Sequence, residues 1–172
     1  FGNSDLTLQD IDGNEVLKTV RLGIECGRMP EDTGNDVPVI MEKFGLMRDG
    51  ILSHAAAVLF GKHENMEYPQ CLLRLARFRG TDKAVFMDNQ RIHGNFFQLL
   101  NAAMAFIFKH LSLSGTTDTL EREEHLTIPY KAIREGVLNS LAHRSYRDAG
   151  GSVSIAIYDN RVEIENPGSF PP

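Results

Sequence analysis

The run over residues 95–111 constrains the fold of this chain most. Phe96, Leu99, Leu100, Ala103, Phe106, Ile107 and Leu111 recur at three- and four-residue spacing, which makes one broad apolar stripe along a helix. A stripe that wide must be buried, so it is core and carries no chemistry. Strand signals lie on both sides of it. Before it, residues 71–78 and 83–88 read as two strands joined by Gly80-Thr81-Asp82. After it, residues 152–158 and 161–165 alternate, with Val153, Ile155, Ile157, Val162 and Ile164 on one face and Asp159-Asn160 between the strands. A second helix is expected over residues 127–146, with Thr127 as its cap and Pro129 in its first turn. The expected fold is α+β: a two-layer sandwich of an antiparallel or mixed sheet with these helices on one face.

The N-terminal third reads differently. Val16, Leu17, Val20 and Ile24 give residues 11–26 helical periodicity, with Gly27 as the stop and Pro30 barring continuation. A second short helix spans 37–44 and stops at Gly45, and Asp49-Gly50 marks a turn. Residues 1–50 are therefore expected to form a small helical lobe, either a winged-helix remnant or a cap on the domain that follows. That second domain is expected over 51–172. The apolar run at 55–60 is too short for periodicity to separate helix from strand. The start at Phe1 and the ending Pro171-Pro172 both read as cuts within a longer protein.

Charge and motifs exclude several functions. A net charge of -5 gives no global attraction for nucleic acid or an anionic membrane. No stretch is long and apolar enough to cross a bilayer, so no membrane partner is expected. Cys26 and Cys71 belong to no metal or redox motif and are expected as reduced, partly buried thiols. The six histidines show no ligand spacing. Gly61-Lys62 is not a phosphate loop, because Ala56 stands where the first glycine is needed and His63 replaces Ser or Thr. Arg74, Arg77 and Arg79 form a small basic cluster that reads as solvated surface. Ser53-His54 lacks any supporting nucleophile motif.

One spacing does read as chemistry. Glu135 and Asn139 lie one turn apart on the 127–146 helix, with Ala142 on the same ridge. The apolar arc of Tyr130, Ile133, Val137, Leu138 and Leu141 runs beside that ridge, so the two polar groups are expected to border the core. An amide oxygen ligates Mg²⁺ without adding charge, and the ion keeps waters and substrate phosphates as its other ligands. A carboxylate beside it can orient or deprotonate a water. His143 and Arg144, at the helix end, are expected to serve structure, meeting the last carbonyls.

These residues carry a resemblance. The stretches Ala132-Ile133-Arg134-Glu135, then Leu138-Asn139-Ser140-Leu141-Ala142-His143-Arg144-Ser145-Tyr146, then the run from Ile157 to Gly168 resemble the GHKL-type ATP-binding fold. That fold is shared by DNA gyrase B subunits, mismatch-repair MutL proteins, heat-shock chaperones and sensor histidine kinases. The resemblance is greater to a divergent branch, the transcriptional regulators also labelled RecG-related DNA helicases. Residues 52–61 and 76–82 also look like that branch.

The resemblance implies ATP and Mg²⁺ as cofactors. Asn139 matches the Mg²⁺-binding asparagine, and Glu135 the general base of members that hydrolyse ATP. Asn166 and Gly168 match the Asp-x-Gly in which the aspartate accepts from the adenine amino group and the glycine lets the base approach the backbone. Ala142 would border the nucleotide. Asn166 departs from the pattern, because an amide oxygen accepts without charge assistance. Ser145 departs too, standing where close relatives often carry aspartate. In relatives the lid and its glycine-rich phosphate loop lie beyond Pro172, so hydrolysis by this stretch is not expected. Further expectations are DNA contact through attached domains, a possible homodimer and a cytoplasmic location. The rival expectations are a scaffold that has lost its nucleotide, or direct DNA binding by the N-terminal helices.

Overall fold

The computed structural model describes residues 5–62, 68–111, 128–148 and 150–168. The chain divides into two compact units, Phe1–Tyr68 with Gly94–Phe97, and Pro69–His93 with Gln98–Pro172.

In the first unit, helix α1 (Gly13–Glu25) starts at Asp12, whose carboxylate accepts from the Asn14 and Glu15 amides at 3.0 and 3.1 Å. Those amides have no partner within the helix, and a cap of this kind contributes about 1 kcal/mol. The helix ends with Gly27 at φ +65°, a left-handed stop that glycine adopts without strain. Helix α2 (Val37–Lys43) is capped by Asp36. Strands β1 (Met47–Arg48) and β2 (Ile51–Leu52) form a hairpin whose turn residues, Asp49 and Gly50, have φ of 51° and 76°. Two consecutive positive φ values suit the tight hairpin turn that Asp-Gly signals.

The ambiguous run at 55–60 is a helix, α3 (His54–Phe60), because Ser53 caps it by accepting the Ala56 amide at 3.2 Å. Leu52, Ala56, Ala57 and Phe60 share one core with Ile11, Val16, Val20, Ile40 and Met41. The unit therefore runs on through α3, and the expected boundary after residue 50 falls inside the hairpin turn.

The second unit is built on a four-stranded mixed sheet. β3 (Leu72–Arg79) pairs antiparallel with β4 (Val85–His93) and in parallel with β5 (Val153–Ile157), and β5 pairs antiparallel with β6 (Val162–Glu165). The strand order is β4-β3-β5-β6. A tight turn cannot join parallel neighbours, so the chain travels between β4 and β5 through helices α4 (Phe96–Leu111) and α5 (Tyr130–Ala142).

Alternation puts Leu73, Leu75, Val153, Ile155 and Ile157 on one face of the sheet, where each is at most 1% exposed. The helices bury Leu99, Leu100, Ala103, Phe106 and Ile107 of α4 and Ile133, Val137 and Leu141 of α5. α5 lies close on β6: a Cβ at Gly136 would stand 3.4 Å from Ile164 Cδ1. The last turn of α4 is tied to β4 through Asp88, which accepts from Lys109 Nζ at 2.8 Å and meets His110 Nε2 at 2.9 Å. The Lys109 bond, with help from His110, holds the Asp88 carboxyl down at about 2.

Two elements, β4 and α5, differ in their bounds from the sequence reading. β4 runs to His93 although Asn89-Gln90-Arg91 break the apolar pattern. It is an edge strand, and its backbone pairing with β3 fixes its length. α5 begins at Tyr130 with Pro129 as its N-cap at ψ 131°, so the proline sits before the first turn. Thr127 lies outside the described residues. The helix stops at Ala142, short of Tyr146, where Arg144 turns inward.

Candidate functional site

α5 presents Glu135 and Asn139 one turn apart, and Asn139 Nδ2 donates to Glu135 Oε1 at 3.1 Å. Both side chains are exposed, as is Ala142, so this ridge faces water instead of bordering the core. The reason is the packing of α5 on β6. Gly136 and Ser140 occupy the flank that packs toward β6, which turns the 135/139/142 ridge one step further out. Among the described residues, Asn139 Oδ1 and Glu135 Oε2 have no partner in the chain.

Beside that flank β6 runs into the bend Asn166-Pro167-Gly168. Asn166 Oδ1 accepts from the Gly168 amide at 2.7 Å, closing an Asx turn, and its Nδ2 donates to the Ser140 carbonyl at 3.4 Å. A Cβ on Gly168 would overlap the His143 carbonyl oxygen. Glycine is needed at 168 because the backbone there rests directly on the end of α5. Pro167 rests in turn on Gly151, where a Cβ would come within 2.7 Å of the proline ring.

Arg144 secures the other side of this packing. It is buried, and its guanidinium donates to the Gln70 carbonyl and, at 2.8 Å, to the Gly151 carbonyl. Burial lowers its pKa. Tyr146 lies beneath it, with the guanidinium 5.1 Å from the ring centroid, and donates its hydroxyl to the Leu141 carbonyl at 2.7 Å. Burial pushes the Tyr146 phenol up to about 12 and the neighbouring Cys71 thiol up to about 11, so both stay neutral beside the arginine. Arg144 is thus structural, as expected, but its partners are the carbonyls of distant Gln70 and of Gly151 in the following loop, not the last turn of its own helix. Cys26 is exposed and Cys71 buried, and both are free thiols.

The predicted residues therefore lie along α5 from its middle to its C-terminal end. Glu135, Asn139 and Ala142 form an outward ridge, and Asn166 and Gly168 are fastened to the adjoining Ser140 and His143. No group of three His, Cys, Asp or Glu side chains with metal-binding geometry occurs among the described residues. A divalent ion at Asn139 would have to bring most of its ligands with it, as a magnesium phosphate does.

Other candidates disperse. Arg74 is exposed, whereas Arg77 bonds Asp159 at 2.5 Å and the Ile157 carbonyl at 3.3 Å, so the arginine cluster does not act as one patch. Ser53 is spent as the α3 cap, and His54 Nδ1 pairs with the Tyr68 hydroxyl at 3.0 Å.

Sequence reasoning missed a cleft of about 590 Å³ at the opposite end of β6, lined by Arg77, His110, Ile157, Tyr158, Asp159 and Arg161 among others. Its charges are matched within the chain, Arg77 by Asp159 and Arg161 by Glu163 at 2.6 Å. The only sequence signal there was the Asp159-Asn160 turn.

No protein-family model matches this chain, and no curated protein matches it. Among solved structures its fold is similar to the crystal structure of the DIP2311 protein from Corynebacterium diphtheriae, with a TM-score of 0.65 and 16% identity. The match covers 98% of this chain and 32% of that one, so this chain spans about a third of the length of that protein. At that identity the similarity is one of fold.

Proposed function

We propose that the second unit is a GHKL-like nucleotide module in which Mg-ATP acts as a switch for dimerisation or for DNA binding by attached domains. One observation carries this reading. Asn166 and Gly168 are seated on Ser140 and His143, next to the ridge that presents Asn139 and Glu135. Two motifs about 25 residues apart in the chain thus serve one helix. In this reading the Asn139 amide oxygen ligates the phosphate-bound Mg²⁺. Glu135, held toward Asn139, orients a water at the phosphate end. Gly168 leaves the backbone open to the base, and Asn166 accepts the adenine amino proton with the second lone pair of its amide oxygen.

Isothermal titration of Mg-ATP tests it, on this chain and on a version extended past Pro172. Heat from the extended chain that disappears in Asn139→Ala supports the reading, and no heat from the extended chain ends it.

A second reading has its own observation. Both polar ends of the Asn166 side chain are already engaged within the chain, which suits a scaffold that has given up its nucleotide. It predicts that Glu135→Ala and Asn139→Ala leave the activity of the full-length protein in cells unchanged. Direct DNA binding by the first unit has less support, because exposed Lys18 and Arg21 of α1 are mixed with exposed Glu25.

A further inference from the structure

The sheet of the second unit has a second face, opposite the one that holds Leu75 and Ile155. Register fixes what it carries. One row across the four strands reads Arg91, Arg74, Ser154, Glu165, and the next reads Asn89, Ala76, Ala156, Glu163. Arg91, Arg74, Asn89 and Glu165 are exposed, and the small residues between them are only half-buried, so this face stands open.

Its charges are sorted. Arg74 and Arg91 are direct cross-strand partners, and neither has an ion pair among the described residues. Like charges directly opposite one another destabilise a sheet. The other side of the face is acidic. Among the described residues, the Glu165 carboxylate accepts only from Ser154 Oγ, at 3.3 Å, while Glu163 is already paired with Arg161. Between the two sides runs a low floor of Ala76, Ser154 and Ala156.

We propose that this face receives a second copy of the chain. Charge complementarity selects the geometry. A two-fold axis lying in the interface across the strands would set arginine against arginine. An axis parallel to the strands, between β3 and β5, reverses left and right and sets Arg74 and Arg91 against the partner's Glu165. The symmetry repeats the contact, so each interface holds two such clusters. The low floor lies on the axis, where two sheets packed face to face must approach to about 10 Å. The pairing gives Arg74 and Arg91 a counter-charge that the described residues of their own protomer do not supply. It stands without the nucleotide and with no residue of the proposed ATP site.

Sedimentation equilibrium on the 172-residue chain reads this directly, with circular dichroism confirming the fold of every variant. The wild type is expected to dimerise, and more weakly as salt rises. Arg74→Glu/Arg91→Glu weakens self-association at least about tenfold, as does Glu165→Arg, because each sets like charges together. Mixing the two variants restores a heterodimer, since both clusters are then oppositely charged again. A wild type that is monomeric throughout overturns the proposal, including one that binds a single-stranded oligonucleotide through these arginines. So does a dimer indifferent to both charge reversals, which would place the interface elsewhere. Ala156→Arg guards against a compensating shift. It should also break the dimer by filling the floor, and an unaffected dimer counts against this face.

Discussion

At the scale of single residues, the end of α5 is held by atoms with no room to move. Gly168 faces the His143 carbonyl, which belongs to the helix terminus and cannot swing aside. Gly168→Ala should therefore cost about 1–3 kcal/mol in chemical denaturation, the range for overpacking a tight site. A cost below a few tenths would mean that the bend is not seated where we describe it. Arg91 makes the converse case. Replacing it with glutamate turns the Arg74–Arg91 repulsion into an attraction, and the monomer should gain up to about 1 kcal/mol in urea unfolding. The same change is expected to weaken the proposed dimer, so stability and association should move in opposite directions. Glu135 and Asn139 differ from these. Being exposed and joined by one hydrogen bond, they add only a few tenths of a kcal/mol to the helix. Their substitutions can be read as effects on function without a folding correction.

At the scale of elements, the link between α4 and β4 has a pH signature. Asp88 has a folded pKa of about 2, below its ordinary 3.8, because it accepts from Lys109 and His110. A group depressed in the folded state stabilises above its unfolded pKa, and that contribution is lost as pH falls through the folded value. The melting temperature should thus drop between about pH 4 and pH 2. Asp88→Asn should melt lower at neutral pH and show a flatter acid limb. An acid limb unchanged by the substitution would remove this tie from the account.

The elements themselves were largely legible in the sequence. The α4 stripe, the alternation in β5 and β6, the glycine stops and the Asp-Gly hairpin are local signals, and local geometry obeyed them. Two kinds of information were not legible. The length of β4 follows from pairing with β3, which no residue of β4 announces. The outward turn of the Glu135–Asn139 ridge follows from Gly136 meeting Ile164, a contact that appears only once β6 lies beside α5. The inward turn of Arg144 has the same origin, since its partners Gln70 and Gly151 are distant from it or sit in a loop without periodicity.

At the scale of the whole molecule, the two units have separate jobs in this account. The first is a small helical body with its own core and a mixed surface charge. The second carries both the ridge-and-bend site and the charge-sorted sheet face, and these are distinct places on it. None of the helices among the described residues is long and apolar enough to cross a membrane. The central claim is that the ridge and the bend form one nucleotide site, and titration calorimetry tests it most directly. Mg-ATP is titrated into the chain extended past Pro172, beside Asn139→Ala and the sheet-face variant Arg91→Glu, which lies outside the ridge and the bend. The account predicts saturable heat for the extended chain and for Arg91→Glu, and none for Asn139→Ala. Equal heats from all three, or none from any, would contradict it.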